Sequence, residues 1–252
     1  MKRAELVQYL YDRLEITRFG QDPSNNGLQV EGKEEISKIA IGVDATLEFF
    51  QKAAESEADF LFVHHGLSWG GGIRRLNGIT GRRFAELYRN ELSLFAVHLP
   101  LDAHMQLGNN AQLANILNAE NRRLYFHYAG TPIGILGELS AEEDVKTIAE
   151  RYREILGEPL RIFDNGRLIR KVGFISGGGG LDGLEETIDA GADLLVTGEV
   201  DHTMVPVIRE SGIALLALGH YASETTGVQA VGRELMEQFG LECRFIPLPT
   251  GL

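Results

Sequence analysis

The sequence is poor in the residues that cross-link a chain or place it in a membrane. It contains one cysteine, Cys243, in 252 residues, so no disulfide can form within the chain, and a thiolate-rich zinc or iron–sulfur site is excluded for a single chain. No stretch approaches the ~18 consecutive apolar residues that a membrane-spanning helix needs. The N-terminus reaches acidic residues before any apolar run typical of a signal peptide. We therefore expect a cytoplasmic protein that does not contact a membrane.

Basic residues are scarce relative to acidic ones. The chain has 24 Lys and Arg against 36 Asp and Glu, which gives a formal net charge of −12. Binding to nucleic acid draws on Lys and Arg contacts, so the overall charge does not support a nucleic-acid partner. A local basic cluster is present at Arg74, Arg75, Arg82 and Arg83. It would attract phosphate groups, although a solvated face is its simpler interpretation.

Two parts of the chain, residues 38–63 and 171–197, follow the same pattern. In each, a β-branched and aromatic run leads into an amphipathic stretch and then into a second buried run. This order predicts a βαβ unit with parallel strands. A third strand continues each pattern, at Leu92–Val97 and at Ile213–Leu218. The sequence therefore predicts an α/β protein that arose by internal duplication, with three-layer αβα halves and mixed, mostly parallel sheets.

No low-complexity linker separates the two halves, so we expect them to pack closely. The boundary is predicted near residue 125, which gives halves of residues 1–125 and 126–252. Other predicted elements connect or extend the repeats: strands at Ile133–Leu139, Leu160–Phe163 and Glu242–Ile246, and helices at Ala111–Leu117, Ala141–Leu156 and Gln229–Phe239.

Two adjacent histidines, His64 and His65, end the second buried run of the first repeat and precede Gly66. Ligands of open α/β sheets bind beyond the carboxyl ends of the strands, where these histidines fall. Neighbouring side chains of a strand point to opposite faces, so the two rings converge only if the chain leaves extended geometry there. The alternative interpretation is that one histidine fills the core and the other is solvated.

The third strand of each repeat is followed by a histidine with a carboxylate four residues later, His98 with Asp102 and His220 with Glu224. Imidazole and carboxylate together suit Zn, Mn, Fe, Co or Ni. Equivalent loops from both halves predict a site at the domain interface. With His64 and His65 the candidate ligands number six, more than one tetrahedral ion needs, so two ions are expected. In the alternative interpretation, Asp102 and Glu224 cap the helices that follow.

Two further features of the second repeat lie at strand ends. The turn Ser176–Gly180 could present backbone N–H groups to an anion, or it is a tight strand-to-helix connection. Glu199 ends a strand in the place where the first repeat has His65. It is a candidate general acid or base near the ions, with a solvated loop carboxylate as the alternative.

The sequence resembles the dinuclear-metal family of GTP cyclohydrolase I type 2 homologues, also called the Nif-three-like or YbgI-type family. The resemblance covers nearly the whole chain and is carried by motifs in family order: Asn26–Gly32, Val63–Gly66, His98–His104, Leu107–Ala111, Ser176–Gly179, Asp193–Glu199 and Gly219–Glu224. It implies two intertwined αβα domains. It also implies a homo-oligomer, a ring-shaped hexamer built as a trimer of dimers, with the metal sites facing an inner cavity.

The resemblance also implies roles for individual residues. His64, His65, Asp102, His220 and Glu224 would ligate two divalent ions per chain, with Asp102 shared between them. His98 would act beside the ions, as a catalytic or orienting residue for Asp102 or a bound water. The implied function is a metal-dependent hydrolase in which activated water attacks a small nucleotide-like or heterocyclic substrate. The alternative is a non-catalytic metal-binding scaffold or regulatory protein with protein or nucleic-acid partners.

Overall fold

A computed structural model describes residues 1–157 and 161–252. The chain divides into two compact units. The first unit comprises Met1–Leu101 and Val228–Leu248, and the second comprises Asp102–Gly227 and Pro249–Leu252. The chain thus leaves the first unit at Asp102 and returns to it at Val228. The halves 1–125 and 126–252 stay a prediction.

The described residues form eleven strands and nine α-helices. The strands are β1 (Gly27–Val30), β2 (Lys38–Asp44), β3 (Phe60–His65), β4 (Ser93–Ala96), β5 (Glu120–Tyr128), β6 (Thr131–Glu143), β7 (Arg161–Phe163), β8 (Ile169–Ile175), β9 (Leu194–Thr197), β10 (Ala214–Ala217) and β11 (Glu242–Phe245). The helices are α1 (Arg3–Arg13), α2 (Leu47–Glu55), α3 (Gly78–Arg89), α4 (Leu99–Ala103), α5 (Asn109–Ile116), α6 (Val145–Leu156), α7 (Gly180–Asp189), α8 (Met204–Ser211) and α9 (His220–Phe239).

The first unit is built on a five-stranded sheet with the order β1-β4-β3-β2-β11. Strands β11, β2, β3 and β4 are parallel, and β1 runs antiparallel to β4. Phe49 and Phe50 of α2 and Leu87 of α3 belong to a buried core with apolar residues of the sheet such as Leu61 and Val63. A buried parallel sheet of this kind requires the continuous apolar strands seen in the sequence.

The second unit contains a six-stranded sheet with the order β5-β6-β8-β9-β10-β7. Strands β8, β9 and β10 are parallel, while β5, β6 and β7 join through antiparallel pairs. Tyr152 of α6 is fully buried in the core, and its hydroxyl donates to the Leu113 carbonyl. The predicted α/β class with mixed, mostly parallel sheets is confirmed. Of the predicted strand Leu160–Phe163, Leu160 lies outside the described residues.

Helix α9 is longer than predicted. It begins at His220 rather than at Gln229, so His220 and Glu224 lie within a helix and not in a preceding turn. Thr225, Thr226 and Gly227 are weak helix formers, which hides the first turns of the helix in the sequence. Gly227 is required by packing, because a Cβ there would lie 2.5 Å from Oδ1 of Asn109.

Helix α6 is shorter than predicted. It begins at Val145 rather than near Ala141, because strand β6 continues to Glu143. The carboxylate of Asp144 then accepts hydrogen bonds from the backbone N–H groups of Lys146 and Thr147, which makes Asp144 the N-cap. The helix propensity of residues 141–156 alone does not show that the helix begins only after Asp144.

Within residues 1–157 and 161–252, none of the helices combines the length and the apolar character that crossing a bilayer would require.

Asp59 fixes the start of the β2–β3 pair. This residue is 7% exposed, and its carboxylate accepts hydrogen bonds from the backbone and hydroxyl of Ser37, the backbone of Lys38 and the ammonium of Lys33. Burial opposes ionisation of Asp59, yet these hydrogen bonds hold its pKa below the usual value. The resulting register places Asp44 opposite His65 at the far end of the same pair.

We predict that Asp59→Ala lowers the free energy of unfolding by about 1–3 kcal/mol at neutral pH, because the backbone N–H groups of Ser37 and Lys38 lose their acceptor. Urea denaturation measures this loss. The contribution of an acid with a depressed pKa is present above the unfolded-state pKa of about 4 and is lost as pH falls through the folded-state pKa. The difference from wild type must therefore shrink in acid. Glu57→Ala, which removes an exposed ion pair with Lys38, is the control and should change stability little.

Candidate metal-ligating sites

Three histidines of the first unit lie together. His64 and His65 are the last two residues of β3, and His98 follows β4. Their ring centroids are 4.6 Å apart for His64–His65, 5.2 Å for His64–His98 and 5.6 Å for His65–His98. One ring nitrogen from each lies within 4.8 Å of the others, so the cluster could hold a metal ion. Strand β3 extends through both adjacent histidines, so the rings converge without the predicted break in extended geometry.

Each of these histidines uses Nδ1 for a hydrogen bond to an oxygen. Nδ1 of His64 lies 2.8 Å from the Val97 carbonyl oxygen, and Nδ1 of His65 lies 2.9 Å from Oδ1 of Asp44. Nδ1 of His98 lies 2.8 Å from Oδ1 of Asp22. Carbonyl and carboxylate oxygens only accept, so Nδ1 carries the proton and Nε2 is the nitrogen that could ligate a metal ion. Such hydrogen bonds are typical of metal-binding histidines.

Asp22 is a buried carboxylate that the sequence did not single out. It accepts hydrogen bonds from the His98 ring, from the backbone of Ser24 and Leu99, and from the amide of Asn26. Burial opposes its ionisation, but the hydrogen bond from His98 is the largest of the contributions that bring its pKa below the usual value. Asn26 in turn accepts from the backbone N–H of His98. The Asn-Gly motif near the N-terminus thus orients a histidine more than seventy residues away.

Trp69 lies beside the histidines. Its ring centroid is 5.1 Å from that of His98 and 5.9 Å from that of His65, and its indole N–H donates to the Gly66 carbonyl. Gly66 permits this turn, because a Cβ there would lie 2.4 Å from the amide of Gln29 and 2.6 Å from Ala96. Trp69 therefore packs against two of the three histidines of the cluster.

In the second unit, His220 and Glu224 lie one helical turn apart at the start of α9. Nε2 of His220 is 3.2 Å from Oε1 of Glu224, whose side chain is almost fully buried. Nδ1 of His220 lies 2.8 Å from Oε1 of Glu199. His220 is therefore a fourth histidine whose Nδ1 faces an oxygen, here that of Glu199. Its Nε2 faces the carboxylate of Glu224. Glu199 is predicted from the sequence as a catalytic residue. In the structure its carboxylate accepts a hydrogen bond from Nδ1 of His220 and so orients that ring.

The hydrogen bond to Glu224 raises the pKa of His220 to about 9, against the effect of burial and with a smaller contribution from Glu199. Without an ion the ring is therefore protonated at neutral pH. A metal ion on Nε2 would replace that proton, and both carboxylates would remain to balance the positive charge.

Asp102 is buried in the short helix α4. Its Oδ1 accepts hydrogen bonds of 2.9 Å from the Asn109 amide and from the Ser176 hydroxyl. Oδ1 of Asn109 accepts from the backbone N–H of Gly227 in α9. Asp102 and Glu224 both lie inside helices and not at their first residues, which disfavours the interpretation of these two as caps.

The glycine-rich turn after β8 leaves room for His220 and Glu224. Gly177 has a φ of +61°, and a Cβ there would lie 2.3 Å from Oε1 of Glu224 and 3.2 Å from Nε2 of His220. Its backbone N–H donates to the hydroxyl of Ser223. The turn is thus a close packing surface for the two side chains, and binding of an anion to it stays a prediction.

These two units define an α/β protein in which oxygen acceptors orient histidines that could bind divalent metal ions. The chain belongs to the Duf34/NIF3 (NGG1p interacting factor 3) family, which it matches over residues 1–250. The resemblance inferred from the motifs is confirmed.

Similar proteins cover the full length of the chain. Proteins named GTP cyclohydrolase 1 type 2 homolog are 44% identical in Archaeoglobus fulgidus and 42% identical in Pyrococcus horikoshii, over 100% of both chains in each case. A crystal structure of a protein from Thermus thermophilus superposes on this chain with a TM-score of 0.90 at 40% sequence identity. The structure of protein ybgI, whose function is given as unknown, superposes with a TM-score of 0.91 at 33% sequence identity. Both comparisons cover 100% of both chains. The expected homohexamer stays a prediction.

We predict that Gly177→Ala weakens metal binding, because the new methyl group displaces Glu224 from His220. Gly180→Ala is the matched control, since Gly180 also has a positive φ, +59°, but a Cβ added there would meet no atom within 4 Å. Both variants carry the backbone cost of alanine at positive φ, about 1–2 kcal/mol. Calorimetric titration with zinc should show weaker zinc binding only for Gly177→Ala. Equal affinities for the two variants would contradict this role of Gly177.

Proposed function

We propose that this protein is a divalent-metal-dependent hydrolase that acts on a small nucleotide-like or heterocyclic molecule. Nitrogen and oxygen donors in each unit would hold the ions: His64, His65 and His98 in the first unit, and Asp102, His220 and Glu224 in the second unit. The observation that carries the proposal is the arrangement of the four histidines, each with Nδ1 bonded to an oxygen. A structural histidine needs no such uniform orientation.

The chemistry of the donors narrows the choice of ion. Four imidazoles and two carboxylates favour Zn, Mn, Fe, Co or Ni over Ca or Mg, which prefer oxygen donors. Six donors exceed the needs of a single tetrahedral ion, which supports two ions per chain. A second feature supports His220 and Glu224 as a pair of metal ligands. Only glycine at position 177 leaves space beside their side chains.

Bound divalent ions would polarise the substrate and make water a competent nucleophile at neutral pH. The residues of the chain provide the remaining functions. Asp22, Asp44 and Glu199 hold the Nδ1 protons of three histidines and so keep Nε2 aimed at the ions. Glu199 is also 55% exposed, so its carboxylate can exchange a proton with solvent or a substrate. Trp69 packs beside the rings of His65 and His98.

The class of substrate is proposed from the relatives. Several full-length relatives carry the name GTP cyclohydrolase 1 type 2 homolog. Opening a guanine ring by hydrolysis is a reaction that an ion-activated water can perform. GTP is therefore the first substrate to test, together with phosphoesters and cyclic amides.

We predict that His98→Ala reduces the metal content as strongly as His64→Ala, since both rings belong to one cluster and both have a fixed Nδ1. Loss of one ligand typically costs metal affinity more than loss of a supporting residue, which costs about 10–100-fold. Elemental analysis after dialysis against a weak chelator measures the content. His127→Ala is the control, because His127 lies on the surface beside Glu186. A metal content in His98→Ala near that of wild type would make His98 a catalytic or orienting residue only.

We predict turnover of at least one compound of the panel by the zinc-, manganese- or cobalt-loaded protein, and loss of that turnover with chelator. His220→Ala should lose turnover as well, because it removes a ligand. Release of product from GTP is followed by chromatography. Full metal occupancy without turnover of any compound would contradict the hydrolase and favour the metal-binding scaffold. Absence of bound metal would contradict the ligand assignment itself.

A further inference from the structure

A strongly basic stretch borders the histidine cluster. Residues Trp69–Arg83, here called the arginine segment, contain Arg74, Arg75, Arg82 and Arg83 and no acidic residue. The whole chain has a formal net charge of −12. The segment is therefore opposite in sign to the rest of the protein. It comprises the connection after β3 and the first half of α3.

The arginine charges are not neutralised by the protein. Within residues 1–157 and 161–252, none of the four arginines forms an ion pair with a carboxylate. In the same part of the chain, Nε of Arg83 is buried and finds no hydrogen-bond acceptor. Four like charges within ten residues repel one another, and an anion bound among them would relieve this repulsion.

Helix α3 adds to the positive potential of the segment. Its N-cap, Asn77, makes no side-chain hydrogen bond to the first turn, and that turn contains no acidic residue. The first N–H groups of a helix carry a partial positive charge and favour anions. The guanidinium groups and the helix terminus therefore favour the same kind of ligand.

The segment also exposes large apolar side chains. Leu76 and Ile79 are each 62% exposed, and Trp69 and Ile73 are each 38% exposed. Ile73, Leu76 and Phe84 line a surface cavity of about 480 Å³, which polar residues such as Gln29 and Ser68 also line. A simple inorganic anion would leave this surface uncovered. A ligand with phosphates and flat ring faces would engage both the arginines and the apolar side chains.

The position of Trp69 connects the segment to the histidines. Trp69 begins the segment, and its ring lies 5.1 Å from that of His98. Asn26, which lines the same cavity, holds the backbone of His98. A ligand seated on the segment would therefore extend toward the histidine cluster.

We propose that the arginine segment binds the phosphate groups of a nucleotide, free or within a single-stranded oligonucleotide, with the ring faces against Trp69 and the neighbouring aliphatic side chains. Guanidinium groups suit this role because they bind phosphate oxygens in a bidentate manner. As a statement about the substrate, this rests on the proposed hydrolase. The binding of phosphates itself requires neither metal nor turnover.

The test uses metal-free full-length protein, so that phosphate cannot bind through an ion. The triple variant Arg74→Ala/Arg75→Ala/Arg82→Ala removes three exposed guanidinium groups and leaves the partly buried Arg83 in place. The control variant Arg123→Ala/Arg167→Ala/Arg209→Ala removes three exposed arginines of the second unit, which changes the net charge equally. Thermal unfolding of both variants establishes that they are folded. The probes are GTP and inorganic triphosphate by calorimetry, and a short labelled oligothymidylate by fluorescence anisotropy.

We expect wild type and the control variant to bind GTP, the oligothymidylate or both, and the triple variant to bind at least about tenfold more weakly. For the oligonucleotide, loss of three phosphate contacts should flatten the slope of log affinity against log salt by about 2, at ~0.7 per contact. Binding of GTP alone identifies a free nucleotide as the ligand, and binding of the oligonucleotide identifies the strand. Tighter binding of GTP than of inorganic triphosphate reports the contribution of the ring.

Three results would overturn the proposal: no binding of any probe by wild type, equal binding by wild type and the triple variant, or equally tight binding of a polyglutamate peptide, which would indicate an acidic protein partner. Failure of the hydrolase would be seen separately, as an ion-loaded protein without turnover whose metal-free form still binds phosphates through the segment. Conversely, chelator-sensitive turnover that is unchanged in the triple variant would exclude the segment from the binding of the substrate and retain the hydrolase.

Discussion

The hydrogen bonds to Nδ1 of four histidines are the constraint on which the candidate metal chemistry depends. A neutral imidazole has one nitrogen that donates and one that accepts, and the oxygen placed on Nδ1 decides which is which. In this protein the oxygen comes from a backbone carbonyl at Val97 and from the carboxylates of Asp22, Asp44 and Glu199. Three of the four acceptors are carboxylates, which bind an imidazole N–H more strongly than a neutral carbonyl oxygen does.

Sheet register and close packing position these acceptors beside the histidine rings. Asp44 reaches His65 because the two residues are directly paired between β2 and β3. A shift of that pair by one residue would turn the carboxylate to the opposite face of the sheet. In the second unit, glycine at positions 177 and 227 lets the backbone approach Glu224 and Asn109 more closely than any side chain would permit. The site therefore depends on residues that have no ligand atoms of their own.

Much of this organisation could be predicted from the sequence. The βαβ repeats were recognisable because buried parallel strands are short, apolar and evenly spaced. The histidines were found because they end such strands. Asp22 could not be found, since it lies in an irregular segment 76 residues before His98 and no local pattern connects the two. The start of α9 is not predictable from helix propensity, because Gly227 is a weak helix former. Glycine is required there by its close packing against Asn109. The boundary between compact units within α4 and α9 likewise has no signal in composition.

Two-bond proton–nitrogen NMR correlation of the histidine rings, with and without zinc, tests the ligand assignment most directly. Binding through Nε2 predicts that the Nε2 resonances of His64, His65, His98 and His220 shift when zinc is added, while each Nδ1 keeps its proton. Loss of the Nδ1 proton in these rings, or Nε2 resonances that do not respond to zinc, would contradict the assignment of these histidines as oriented metal ligands.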